Sequence, residues 1–180
     1  MEILLALIFF GFSTGSASHP PVGNPYEGCC GFQPNTAVVG GASVFVPNVF
    51  TPNGDGVNDL FLPFTGKDIS KVSGFTITNL NADSILYQVA DFQLTTGSVG
   101  WDGRVAPDKM HKGPFKYQMI VYSKSGESQM IEGNACSVLC DVESQILKDN
   151  LGCLYPIQAN SDGLFDAASP SFESKRCFKN

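Results

Sequence analysis

Four oxygen-bearing side chains, Asn53, Asp55, Asn58 and Asp59, crowd one short part of the stretch "VPNVFTPNGDGVNDLF" at 46–61. Such a cluster suits a hard cation, above all calcium, which is bound by several carboxylate and carbonyl oxygens. Gly54 and Gly56 let the backbone curl tightly enough to aim those oxygens at one point. An EF-hand is excluded. With Asn53 and Asp55 in its third and fifth ligand positions, the place of the final bidentate carboxylate falls on Leu62. A calcium site here needs a carboxylate from elsewhere, and Asp102 in "GWDG" is the candidate. The competing reading has no ion. Asn and Asp side chains close turns by accepting from backbone amides two or three residues on, and the same pattern then marks a sharp metal-free corner.

Other chemistries find less support. "GFSTG" at 11–15 matches the G-x-S-x-G nucleophile elbow but lies in an apolar N-terminal run, with no core strand before it. The only histidines are His19 and His111, and His111 sits in the polar segment "DKMHKG". A glycosidase pair could be drawn from Asp55, Asp59 and Asp102, but carboxylates in a Gly-rich loop more often coordinate or cap. Gly40-Gly41 is not followed by the Lys and helix of a phosphate-cradling loop. The sequence is therefore read as non-enzymatic. A net charge of −6 without a basic run argues against nucleic acid, whose phosphates need clustered Lys and Arg.

Residues 3–12, "ILLALIFFGF", are apolar but shorter than the roughly 20 residues a membrane-spanning helix needs. They fit the apolar region of a signal peptide, with Gly15 and Ala17 giving a small-residue cleavage site after 17. Glu2 stands where a basic residue is expected. The mature chain then has no transmembrane span. Six cysteines agree with export: Cys29, Cys30, Cys136, Cys140, Cys153 and Cys177. None falls between Phe32 and Ala135, so the middle of the chain must hold itself by packing. Disulfides are expected to tie an N-terminal arm and a C-terminal extension onto it. Sequence leaves fifteen pairings open. Zinc is the competitor, but the C-x3-C of Cys136 and Cys140 has no second pair of that kind. A lipid on Cys29 or Cys30 is a lesser alternative, because Tyr26, Glu27 and Gly28 precede them and many polar residues separate them from the apolar run.

The elements that must position these residues are strands. Apolar residues make up 43% of the chain and charged ones 16%, with 14 Phe, 19 Gly and 11 Pro, a balance that favours short strands and turns. "SVFV" (43–46), "GFTITNL" (74–80), "SILYQVADF" (84–92), "FKYQMIVY" (115–122) and "QMIEGNACSVL" (129–139) are expected strands. In the fourth, Phe115, Tyr117, Met119 and Val121 point one way and Lys116 and Gln118 the other. Ser125-Gly126 suits a hairpin turn. Residues 18–43 read as an extended arm and 44–139 as an antiparallel β-sandwich. Residues 140–180 form an extension with a short helix, capped by Asp141, stopped by Gly152 and carrying Val142, Ile146 and Leu147 on one side.

"VPNVFTPNGDGVNDLF", followed by "GWDG" (100–103), "GPFKY" (113–117) and the hairpin at 125–126, closely resembles the gliding-motility-associated C-terminal domain, the type B sorting domain of type IX secretion in Bacteroidetes. The resemblance covers 44–139, roughly half of the chain. It departs from the family at "NLNADS" (79–84), where an "NRWG"-like turn is usual, and in having about forty residues after the domain. It implies an immunoglobulin-like sandwich, export, and an outer-surface, extracellular or periplasmic location. Its implied partners are type IX secretion components or other envelope proteins. Within that fold Trp101 is expected to be a core anchor whose indole N–H needs an acceptor.

Overall fold

The computed structural model describes residues 23–33, 35–93, 99–173 and 177–178. The signal-peptide segment 1–17, with "GFSTG", and His19 lie outside them.

Alternating side chains produce a two-sheet sandwich. The small sheet has the order β1 (Asn35–Val39), β2 (Ala42–Val46), β4 (Phe64–Thr65). The large sheet has the order β3 (Val49–Phe50), β10 (Ser128–Ser137), β9 (Gly113–Ser123), β5 (Ile69–Asn79), β6 (Ile85–Phe92). A small ribbon, β7 (Arg104–Ala106) with β8 (Lys109–Met110), follows the "WDG" turn and was not expected from sequence. All named pairings are antiparallel except one: β3 runs parallel to β10, with Val49 opposite Cys136. The expected antiparallel sandwich is formed, with this one parallel pairing in it. The chain leaves the small sheet after Val46 and enters the large one at Val49, across Pro47-Asn48.

The extended-arm expectation is also corrected. The arm contains a short 3-10 turn, Cys29–Gly31, and all of β1. Val39 pairs with Ala42 across Gly40-Gly41, which have φ of 57° and 83°. Both residues of such a two-residue hairpin turn need positive φ, and two glycines supply it at little steric cost. Phe61 makes a single antiparallel bridge to Trp101.

Two cores result. The first lies between the sheets and includes Val44, Val46, Phe50, Phe61, Phe75, Ile77, Trp101, Phe115, Met119 and Val121. The strand alternation is as expected: Phe115, Tyr117, Met119 and Val121 are buried, and Lys116 and Gln118 are exposed. The second core lies beyond the end of the sandwich. Tyr26, Val49, Val138, Leu147, Tyr155 and Phe178 pack there with five of the cysteines. Cys29–Cys136 fastens the arm to β10, Cys30–Cys153 fastens the arm to the extension, and Cys140–Cys177 closes the extension on itself.

The extension's helix is a 3-10 segment, Val142–Leu147, with Asp141 accepting from the Glu143 and Ser144 amides. Three residues per turn put Ser144 and Leu147 on the buried side, while Val142 and Ile146 face solvent. An α-helical stripe of Val142, Ile146 and Leu147 is therefore not formed. Gly152 does not end the helix. It packs where a side chain would strike the Cys30 carbonyl.

Candidate functional site

The Asn/Asp/Gly corner between β3 and Phe61 spends its side chains on two tasks. At the exposed tip, Asp59 accepts from Gly54 N through Oδ1 and from Gly56 N through Oδ2, each at 2.7 Å. Asp55 Oδ1 accepts from Val57 N at 2.9 Å, and Asn53 Oδ1 from Asp55 N at 3.0 Å. These are the turn-closing bonds of the ion-free reading, and they engage both Asp59 oxygens with backbone donors.

Asn58 belongs to the second task. It is buried, with φ 57°, and turns away from the tip. Its Oδ1 accepts from Ile157 N at 2.9 Å. Its Nδ2 donates to Ser171 O at 3.0 Å and to Glu173 Oε1 at 2.5 Å. Thr51 Oγ1, also buried, donates to the same Glu173 oxygen at 2.9 Å. Asp102 serves its own turn, accepting from Arg104 N at 3.0 Å and pairing with Arg104 Nε at 3.5 Å. Among the described residues, the group of three Cys, His, Asp or Glu ligand atoms that lies within 4.8 Å is Cys140, Glu173 and Cys177, and both sulfurs there are in a disulfide. The structure thus gathers Asn53, Asp55 and Asp59 in one turn and sends Asn58 to the extension.

Other residues make the same connection. Asn48 is fully buried. It donates to Phe32 O at 2.6 Å and Gly152 O at 2.8 Å, and accepts from Leu154 N at 2.7 Å. One side chain so joins arm, β2–β3 link and extension. Phe165 of the extension lies 5.6 Å from Phe45, which points out of the small sheet and is nevertheless fully buried. Tyr26 closes the arm's side: its hydroxyl donates to Asp141 Oδ2 at 3.3 Å and accepts from Leu139 N at 3.0 Å. Burial pushes that phenol up to about 12. Lys112 reaches Asp141 at 2.6 Å and also Glu143, and these hydrogen bonds hold its ammonium above the usual lysine value.

Trp101 is 1% exposed and donates from Nε1 to Arg104 O at 3.0 Å, which makes it the core anchor expected from sequence. Its ring centroid lies 5.6 Å from Phe50 and 5.0 Å from Phe115. His111 packs tilted against Trp101 and edge-on to Phe115, with Nε2 3.1 Å from Pro114 O. Burial lowers its pKa, opposed by the Pro114 carbonyl. It is a packed side chain, although the segment "DKMHKG" around it is polar.

No protein-family model, curated protein or solved structure matches this chain.

All six cysteines are in disulfides. Cys29 and Cys30 are consequently not available for a thioether lipid, which corrects that alternative. Three disulfides place the chain in an oxidising compartment outside the cytosol. No helix among the described residues is long and apolar enough to cross a membrane. The sequence reading missed Asn48, Thr51 and Glu173. A buried Asn beside a proline at a sheet crossing was a usable hint. Glu173 carried none, because its partners lie more than a hundred positions away.

Proposed function

We propose that this chain is an exported, non-catalytic module of the outer surface or extracellular space, whose sandwich is recognised as a type B sorting domain by type IX secretion components. One observation supports the reading above the others. The two motifs that carry the resemblance meet in space: Phe61 N donates to Trp101 O at 2.9 Å and Trp101 N to Phe61 O at 3.0 Å, so "VNDLF" and "GWDG" form one corner over Phe50 and Phe115. A chance pair of short motifs has no reason to share a backbone bridge. The non-catalytic part of the reading is supported by the use of each candidate group: the cysteines are bonded, His111 is packed, and Asp55, Asp59 and Asp102 close turns.

The experiment is surface delivery in a Bacteroidetes strain with an active type IX system. The chain carries a reporter and is compared with a version lacking 44–139 and with a secretion-null strain. Delivery lost in both comparisons supports the reading. Delivery unchanged in the null strain overturns it.

A fixed subunit of a cell-envelope complex is the second reading. It is favoured by the extension, which locks over the small sheet and the corner instead of ending the chain at the last strand. Native purification from the envelope then yields a stoichiometric partner set, whereas a sorted surface protein comes away alone.

A further inference from the structure

We infer that the outer face of the large sheet is a binding cleft for an uncharged oligosaccharide. Cross-strand register lines up the outward side chains in rows. Gln88, Thr76, Gln118 and Glu132 face one another across β6, β5, β9 and β10. In the next row Thr78, Lys116 and Asn134 do the same, with Ile85 at the rim.

The face is hollow. It encloses a cleft of about 610 Å³, walled at one end by Ala82 of the β5–β6 turn. That volume falls within the usual range of small-ligand sites. Two bulges border the hollow: β5 carries an extra residue against β9 between Ser73 and Thr76, and β6 carries one, Leu86, against β5 opposite Ile77 and Thr78. Such bulges add local twist and re-aim side chains. The turn that walls the cleft is "NLNADS", the stretch where the chain departs from the family it resembles.

The chemistry selects the occupant. The cleft offers primary amides and hydroxyls at neighbouring positions, with donors and acceptors side by side, as vicinal sugar hydroxyls require. Its one cation, Lys116, is balanced by its one anion, Glu132, on a chain whose net charge is −6. A polyanion meets repulsion from the rest of the surface, and a polycation has only one carboxylate to bind. A neutral polyhydroxyl chain matches both the charge and the donor–acceptor pattern. The side chains of Gln118, Asn134 and Thr78 make no hydrogen bond to the described residues, so they are turned to the cleft without a structural duty. Gln88 donates to Thr76 Oγ1 at a long 3.4 Å, a contact that a ligand hydroxyl readily replaces.

This inference concerns a ligand and stands independently of the export route. The test uses the purified, oxidised full chain and heteronuclear NMR titration with cellohexaose, xylohexaose and mannohexaose. A hyaluronan hexasaccharide serves as the anionic control. One or more neutral hexasaccharides are expected to shift the amides of 76–78, 88, 116–118 and 132–134. Gln118→Ala and Asn134→Ala should each weaken binding about five-fold, the effect of one lost hydrogen bond. Both should keep the melting temperature, and Thr36→Ala on the other sheet should leave binding unchanged. Absence of shifts with every neutral sugar overturns the proposal, as does preference for hyaluronan or binding that survives both amide deletions.

Discussion

Replacing Asn58 by glycine separates the two duties of the Asn/Asp/Gly corner. Glycine keeps the left-handed backbone that Asn58 adopts at φ 57° and removes only its amide. Three contacts go with it: those to Ile157 N, Ser171 O and Glu173 Oε1. Ser171 O and Ile157 N lose the partner described for them, while the Glu173 oxygen keeps Thr51. A buried group left without its partner costs about 1–3 kcal/mol, so the variant should lose roughly 3–5 kcal/mol, allowing for partial access of water. The assay is urea unfolding of the oxidised protein, with limited proteolysis of 156–173 as a local readout. Cys140–Cys177 still tethers the segment, so it should loosen without leaving. Asp55→Ala is the comparison. It removes exposed tip contacts, those of Oδ1 with Val57 N and of Oδ2 with Asn53 Nδ2 among them, and should cost about 1 kcal/mol. Calcium should change neither melting temperature, because a ligand that binds only the folded state must raise it. An Asn58→Gly cost below about 1 kcal/mol, or an Asp55→Ala loss that appears only with calcium, would refute the reasoning and restore the ion.

Three further outcomes follow from buried groups. Tyr117 is 3% exposed and its hydroxyl has no hydrogen-bond partner among the described residues, so Tyr117→Phe should raise unfolding free energy by about 1 kcal/mol in urea titrations. His111 has a folded pKa below its usual 6.5, so the folded state resists protonation. Its contribution is intact above that value, falls as pH drops through it, and levels off below the folded pKa; His111→Gln should flatten this part of the stability profile, as pH falls below 6.5. The double change Cys29→Ala/Cys136→Ala opens a link across 107 positions between two fully buried residues and should cost about 2–5 kcal/mol in calorimetry.

The large sheet was legible because its strands alternate. Phe75 and Ile77, and the four inward residues of β9, follow a period of two that no helix reproduces. β1 was missed although its signal was present. "AVVGGASV" is two apolar runs around a Gly-Gly pair, and the surrounding Pro, Gly and Asn hid it within an arm. The extension's helix was misread because a 3-10 segment buries positions three apart, and six residues are too few to tell that spacing from an α-helical stripe. The disulfide pairing was not legible at all: it depends on where arm and extension meet, and each local sequence is silent on that. Of the candidate site, residue types and turn chemistry were readable. The partners of Asn58 were not, since hydrogen bonds across more than a hundred positions leave no periodicity.

The extension is better understood as part of the fold than as an addition to it. A two-sheet sandwich buries only its inner faces, and β2 carries Phe45 on its outer one. Phe45 would be an exposed aromatic beside Phe64 if the chain stopped at β10. Phe165 covers it, and Gly66 and Gly163 let the extension's backbone lie directly on the strand, where a side chain on Gly163 would come within 2.5 Å of Thr65. At the end of the sandwich, Val49 and Val138 likewise depend on Tyr26, Leu147 and Phe178 for burial. Apolar surface of this kind is stable in water only when covered, and the chain supplies its cover from both termini. The disulfides lie where those covers meet. That placement explains why the middle of the sequence needs no cysteine, and why the corner at 53–59 carries an inward asparagine as well as its outward turn.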